Sequence, residues 1–240
     1  MRLVPSDGFS LAELAETFTA GYEGYPTPMS IDADLLAFMA EHYDYDFSRS
    51  RVALDGDERI GLANLGVRGD RGWIGGIGVV ASARRKGVGR ALMEALLEVG
   101  PPVVQLEVME ENDAARLLYE RLGFERLRVL EVWVLEDTPL VEAESVEPAP
   151  LGQTGLPWQR EDASLGLGYE RLELDGGAIL VRGGSVLQLE APDEDTAVKL
   201  LSRGRALSFV NVPEGDVASG ALERLGGTLR VRQLEMSYAT

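Results

Sequence analysis

The stretch that most constrains this chain is Val79 to Met93, VVASARRKGVGRALM. A β-like run passes into a basic turn with two glycines and then directly into a segment with helical apolar spacing at Leu92, Leu96 and Val99. Arg84, Arg85 and Lys86 stand ahead of Gly87-Val88-Gly89. Glycine has no Cβ, so Gly87 and Gly89 admit tight backbone conformations and close approach by a ligand. The first amides of a helix have no internal partners and carry partial positive charge, which makes that end a site for anions and for phosphates in particular. Three cations at a helix start oppose the helix dipole unless an anion sits among them. The order strand, basic glycine turn, helix therefore points to a pyrophosphate ligand.

A competing pattern lies just upstream. Gly76-Ile77-Gly78-Val79-Val80-Ala81 fits the dinucleotide fingerprint G-x-G-x-x-A. That fingerprint needs a helix opening among its glycines and an acid at the end of a second strand roughly 20 residues on. Val79 and Val80 still read as strand, and Glu98 falls inside the expected helix, so a nicotinamide site is rejected.

The turn RRKGVG resembles the acetyl-CoA signature R-x-x-G-x-G of the GCN5-related N-acetyltransferases, the GNAT family. A second block agrees. Gln105-Leu106-Glu107-Val108, Asn112, Ala115 and then Leu118-Tyr119-Glu120-Arg121-Leu122-Gly123-Phe124 are similar to the family's fifth strand and fourth helix, in the family's order. Ala81 stands where many relatives carry proline. The resemblance covers most of residues 1–137. It implies that Arg84 is a cofactor-binding residue and that the amides of Arg85, Lys86, Gly87, Val88, Gly89 and Arg90 cradle the pyrophosphate of acetyl-CoA. It also implies that the strand ending near Val79 bonds the pantetheine like an added strand, and that an amide at Val79 or Val80 polarises the thioester carbonyl. Asn112 is implied at the cofactor, Tyr119 as the general acid for the leaving thiolate, and Glu107 as a general base acting through water. No metal is implied. An amine must lose a proton before attack, and free amines titrate from about 8 to about 10. Glu107 starts near about 4.3, so work as a base near neutral pH requires desolvation. His42, among Glu41, Tyr43 and Asp44, reads as a surface residue.

Composition narrows the remaining classes. The 240 residues are 45% hydrophobic and 26% charged, enough for one large or two small globular domains. There is no cysteine, which excludes disulfides, thiolate metal sites and a cysteine nucleophile. No apolar run reaches the roughly 20 residues of a membrane span, and MRLVPSDGFS has no signal-peptide core. The expectation is a cytoplasmic protein without a membrane partner. A net charge of −17 argues against nucleic acid, whose phosphates would be repelled.

Along the chain, helices are expected at Leu11 to Thr19, Ile31 to Tyr43, Arg90 to Glu98 and Ala114 to Leu122. Strands are expected at Arg51 to Leu54, Ile60 to Val67, Trp73 to Val80 and Val103 to Val108, with Glu125 to Leu135 closing the sheet. The alternation predicts a mixed α/β sheet with helices on both faces. Residues 1–137 read as the catalytic, CoA-binding domain and 138–157, with three prolines among acidic residues and a fourth in Pro157, as a linker. Residues 158–240 repeat the first half in shortened form: Glu120-Arg121-Leu122-Gly123 recurs as Glu223-Arg224-Leu225-Gly226, Leu127-Arg128-Val129 as Leu229-Arg230-Val231, and Leu54-Asp55-Gly56 as Leu174-Asp175-Gly176. Where the signature turn should stand, Ser185 to Glu190 is followed by Ala191-Pro192-Asp193-Glu194-Asp195, a run of helix-capping acids that would repel pyrophosphate, and the tyrosine position is Leu222. The chain is therefore expected to be a tandem GNAT-like protein whose second domain is degenerate and binds no CoA.

The family's acceptor region, between the first two helices, holds Phe18, Tyr22, Glu23, Tyr25, Asp32 and Asp34 here, and Tyr22 and Tyr25 are the candidate substrate contacts. Aromatic and acidic groups suit the amine of a small molecule or a peptide N-terminus. The expected activity is direct transfer of acetyl from acetyl-CoA to a primary amine. The alternative is a non-catalytic acyl-CoA-binding regulatory protein, in which Glu107 and Tyr119 do no chemistry; a module that has lost the cofactor is opposed by the intact turn. Two sheet-bearing halves are compatible with a monomer and with a homo-oligomer.

Overall fold

The computed structural model describes residues 1–25 and 29–239; Pro26, Thr27, Pro28 and Thr240, and with them part of the expected acceptor loop, lie outside the described residues. The chain forms two compact units, each drawn from several segments. The first comprises Met1–Glu107, Asp113–Arg126 and Met236–Thr240, the second Val108–Asn112 and Leu127–Glu235.

The first unit contains β1 (Arg2–Pro5), α1 (Leu11–Gly21), α2 (Ala33–His42), β2 (Arg51–Asp55), β3 (Glu58–Arg68), β4 (Arg71–Val79), α3 (Val88–Val99), β5 (Val103–Met109, to Glu107) and α4 (Asp113–Arg121). The strands lie in the order β1-β2-β3-β4-β5, antiparallel up to β4 and parallel between β4 and β5. A capping box starts α1: the Glu13 amide donates to Ser10 Oγ and the Ser10 amide to Glu13 Oε2 at 2.9 Å. Leu14 and Phe18 turn inward from this helix and are fully buried. Asp32 caps α2 by accepting from the Leu35 amide at 2.8 Å, so this acceptor-region acid has a helix-starting role. Leu92, Met93 and Leu96 form the buried face of α3.

Two features of β4 shape this unit. The register with β3 slips by one residue, from Asn64↔Gly76 to Leu65↔Ile74, so Gly75 is an extra residue, a β-bulge. The glycines just after the slip, Gly76 and Gly78, also admit α1 to an unusually short distance. A Cβ on Gly21 would lie 2.7 Å from the Gly78 Cα, and one on Gly76 would lie 2.6 Å from the Phe18 ring.

The second unit contains β6 (Glu125–Leu135, from Leu127), β7 (Glu144–Val146), β8 (Glu170–Leu174), β9 (Gly177–Arg182), β10 (Ser185–Glu190), α5 (Glu194–Leu201), β11 (Leu207–Pro213), α6 (Val217–Arg224) and β12 (Thr228–Ala239, to Glu235). Its strands follow the order β12-β6-β11-β10-β9-β8-β7. The strand after α4 was expected to close the first sheet. From Leu127 it instead lies beside β11, with Trp133 opposite Phe209 and Leu135 opposite Leu207. Apolar alternation identifies a strand but does not name its neighbour. Trp133, Leu135, Ile179, Val181, Leu200, Phe209 and Leu222 share one core. Of the acidic run expected to cap α5, Asp193 does so, accepting from the Thr196 amide at 2.7 Å, which holds its carboxyl below the usual range; Glu194 and Asp195 lie in the first turn and pair with Arg224.

In this unit β10 and β11 are parallel and matched only at Ser185↔Ser208 and Val186↔Phe209. Beyond that pair Arg160 bridges the strands. Its backbone oxygen accepts from Gln188 Nε2 at 2.8 Å, and its Nη1 donates to the Asn211 carbonyl at 3.0 Å. The guanidinium lies 4.4 Å over the Phe209 ring, and burial pushes its pKa down to about 10. The proline-containing segment before it adheres to the same sheet: Glu144–Val146 pairs with β8, and the Leu151 amide donates to Gln188 Oε1 at 3.1 Å. Among the described residues, no helix is long and apolar enough to cross a membrane.

The close approach of α1 to β4 leads to a stability test. Gly21→Ala is expected to cost about 1–3 kcal/mol through overpacking, read as a lowered urea midpoint. Gly8→Ala, where a Cβ meets nothing within 4 Å, should leave the midpoint within error.

Candidate active site

The matched pairing of β4 and β5 runs from Arg71↔Val103 to Ile74↔Leu106 and ends there, although β4 continues to Val79. The bulge at Gly75 lies at this point, so β4 bends where it leaves its neighbour. On the other edge β4 stays bonded to β3: the Val80 amide donates to the Ile60 carbonyl at 3.1 Å. Antiparallel strands alternate the direction of their amides. With Val80 facing β3, the Val79 and Ile77 amides face the parted side. Of the two amides expected to polarise a carbonyl, Val80's is thus engaged in the sheet and Val79's faces the opening.

A short 3-10 turn, Ala81–Ala83, follows, and then the basic turn. Arg85 and Gly87 both adopt left-handed backbone, at φ 60° and 85°, and Gly87 is the N-cap of α3 with no side chain capping it. A Cβ on Gly87 would meet no atom within 4 Å. The first intrahelical acceptor is Gly87 O, which takes the Ala91 amide at 3.0 Å; Val88, Gly89 and Arg90 precede it with their amides at the helix start. Arg85, Lys86 and Gly87 are exposed. Such a turn fits an anion from the outside of the helix. Arg90 pairs with Glu94 at 2.8 Å. Arg84 differs from its neighbours: its guanidinium donates to the carbonyls of Val79 at 2.9 Å, Gly21 at 3.1 Å and Glu23 at 2.5 Å.

On the α1 side of the opening stands a cluster of rings and one carboxylate. The register Trp73↔Gln105 puts Trp73 and Gln105 on one face, and Glu107 two residues on shares it. Trp73 Nε1 donates to Glu107 Oε2 at 2.7 Å. Tyr45 stacks on Trp73 at 6.1 Å and donates its hydroxyl to the Gly75 carbonyl of the bulge at 3.1 Å; Tyr43 meets the same indole edge-on at 5.4 Å. Burial raises the Tyr45 pKa well above the ordinary phenol value, with Tyr22, Tyr43 and Glu107 as its charged-state neighbours. Tyr22 stacks on Phe18 at 4.6 Å and lies 5.0 Å from Tyr25; its pKa is raised by burial and by Tyr25, against a bond from the Ile77 backbone. Tyr119 is 6% exposed, and its pKa is also raised, by burial first and then by Tyr22 and Tyr25. Among these tyrosines, Tyr22 and Tyr25 meet ring to ring. Glu107 is held by Trp73 at the base of the parted strands. Asn112 belongs to the second unit and closes a turn there by donating its amide to the Met109 carbonyl at 2.9 Å. Phe18 is core, and His42 stacks on Phe38 with Nδ1 2.9 Å from its carbonyl.

Trp73 and Tyr45 were not singled out in the sequence. The available signal was the tryptophan at the head of the strand that leads to the signature turn.

Residues 11–124 match the model of the acetyltransferase (GNAT) family. The match to the family spans most of the first half of the chain. Solved GNAT structures match the whole length. A Pyrococcus horikoshii protein designated an acetyltransferase is 19% identical over 100% of this chain and 88% of its own, with a TM-score of 0.72. A GCN5-related N-acetyltransferase from Sphaerobacter thermophilus is 16% identical over 98% and 93%, with a TM-score of 0.67. A tandem GNAT protein from the clavulanic acid biosynthesis pathway is 14% identical over 99% and 98%, with a TM-score of 0.62. At these identities the likeness is one of fold, and it extends the GNAT architecture of the first half into a tandem arrangement with a mixed α/β fold. The GNAT fold serves acyl transfer in general, from an acyl-CoA to an amine.

The raised phenol pKa values have a signed consequence. The native state keeps protons on Tyr22, Tyr45 and Tyr119 where an unfolded chain would lose them near about pH 10. Their contribution to stability is full below that pH and falls as pH rises above it. A spectrophotometric titration at 295 nm should show these three phenols silent near pH 10 in the folded protein, ionising only with alkaline unfolding.

Proposed function

We propose that this protein is an N-acetyltransferase. It would transfer acetyl from acetyl-CoA to a primary amine of a small molecule or a peptide N-terminus by direct attack. The observation that carries the reading is the parting of β4 from β5 after Ile74 and Leu106. It leaves the Val79 amide on an open strand edge, with the helix-start turn at its far end and Glu107 on β5 just past the last matched pair.

Acetyl-CoA supplies the acyl group as a thioester. The amides from Arg85 to Arg90, the left-handed Gly87 among them, would hold its pyrophosphate, with the Arg85 and Lys86 charges beside it. The free edge of β4 would bond the pantetheine as a strand, and the Val79 amide would donate to the carbonyl oxygen that gains negative charge. Glu107, oriented by the Trp73 indole, takes the proton from the attacking amine, directly or through water. The N–C bond forms as the C–S bond breaks, and the Tyr119 hydroxyl gives its proton to the departing sulfur. Burial keeps that hydroxyl protonated in the resting protein, as an acid requires. Tyr22 and Tyr25 would flank the amine. Asn112 is retained as a candidate cofactor contact on the resemblance alone.

The same reading assigns cofactor binding and catalysis to residues 1–137, a linking role to 138–157 and no CoA site to 158–240. Supporting this, the α5 start is capped by the Asp193 carboxylate, and Arg160 spans β10 and β11 where a pantetheine would otherwise bond. A monomer is compatible with the proposal.

Calorimetric titration of acetyl-CoA is expected to give one site per chain, lost in Gly87→Asp. Two sites would refute a cofactor-free second half, and none would sink the enzyme reading. In an amine screen scored by thiol release, Tyr119→Phe should lower kcat by about 10²–10⁴-fold while the acetyl-CoA Kd stays within about threefold. Wild-type binding without turnover on any amine would favour a regulatory acyl-CoA binder.

A further inference from the structure

We propose that Arg84, the first residue of the signature turn, is a positioning residue that latches the end of α1 to β4, and does not itself bind phosphate. Its three hydrogen bonds all go to backbone carbonyls. One is Val79 O, on the parted side of β4; the other two are Gly21 O, of the last residue of α1, and Glu23 O, just beyond its C-cap. Carbonyls at a helix C-terminus lack intrahelical donors and carry partial negative charge, and a guanidinium satisfies both needs at once. Its flat array of five N–H donors can reach three acceptors on two segments, which an ammonium on a flexible stem does less well. Gly24 follows with φ 75°, and its would-be Cβ stands 3.9 Å from Arg84 Nη1, so the chain turns tightly against the guanidinium.

The latch joins two functional segments. The residues it restrains, Gly21–Tyr25, carry Tyr22 and Tyr25, which lie 5.0 Å apart, with Tyr22 stacked on Phe18. The residue that provides it is adjacent to Arg85, the first left-handed residue of the helix-start turn. A shift of Arg84 therefore moves both the acceptor-side tyrosines and the turn. This inference rests on the reading of Arg85–Arg90 as the pyrophosphate cradle.

The test compares full-length wild type, Arg84→Ala, Arg84→Lys and Gly87→Asp by three measurements. Amide hydrogen exchange of residues 21–25 without ligand should rise at least tenfold in both Arg84 variants and stay unchanged in Gly87→Asp. In protein labelled at the tyrosine Cζ, the Tyr22, Tyr25 and Tyr119 resonances should move in the Arg84 variants and not in Gly87→Asp. The acetyl-CoA Kd should shift by less than about fivefold in Arg84→Lys and be lost in Gly87→Asp. Exchange and resonances unchanged in Arg84→Lys and Arg84→Ala, with the Kd weakened as in Gly87→Asp, would make Arg84 a phosphate ligand and overturn the latch. Should Arg84→Ala fail to fold, Arg84→Lys decides alone. If the wild type binds no acetyl-CoA, the functional reading fails while exchange and resonances still decide the latch.

Discussion

The separation of β4 from β5 is the constraint on which the first unit depends. A parallel pair normally continues its ladder as far as both strands run. Here the ladder ends at Ile74 and Leu106, and the bulge at Gly75 turns β4 away just beyond. Everything with chemistry is arranged about that edge. The Val79 amide faces the opening, the turn and α3 start at the strand's far end, and the carboxylate of Glu107 stands on β5 at its base. Tyr119 comes from the helix that follows.

The opening must be kept from collapsing, and the structure does this with contacts that leave little freedom. Gly21 on Gly78 and Gly76 on Phe18 bring α1 directly onto the strand. The Tyr45 hydroxyl occupies the bulge carbonyl, and Arg84 holds the last carbonyl on the parted side. Each removes an acceptor that a free strand edge would otherwise present to a neighbour. The second unit repeats the arrangement with a different outcome. Its parallel pair also stops early, and there the chain's own Arg160, Gln188 and Asn211 span the strands.

Much of the first half could be read from local signals because its chemistry is local. The helix starting at Gly87, the anion-binding turn and the helix ending in Leu118 to Phe124 depend on residues within a few positions of one another. So did the acid that caps α5. The aromatic cluster was not legible, because Tyr43, Tyr45, Trp73 and Glu107 meet only when two strands and a loop come together. The role of Arg84 was hidden for a related reason. A motif assigns its residues to one ligand, while a long side chain bonds whatever acceptors the packing brings within reach.

By itself the sequence determined most elements of the first half, the position of the phosphate-type turn, its absence from the second half and the tandem repeat. These follow from periodicity, glycine placement and charge, which act over a few residues. Only the tertiary structure decided that the strand after α4 joins β11, that the chain's last residues return to the first unit, and which β4 amides remain on the open edge. Strand partners are chosen by long-range packing of whole faces, and an alternating apolar strand carries no mark of which neighbour it will meet.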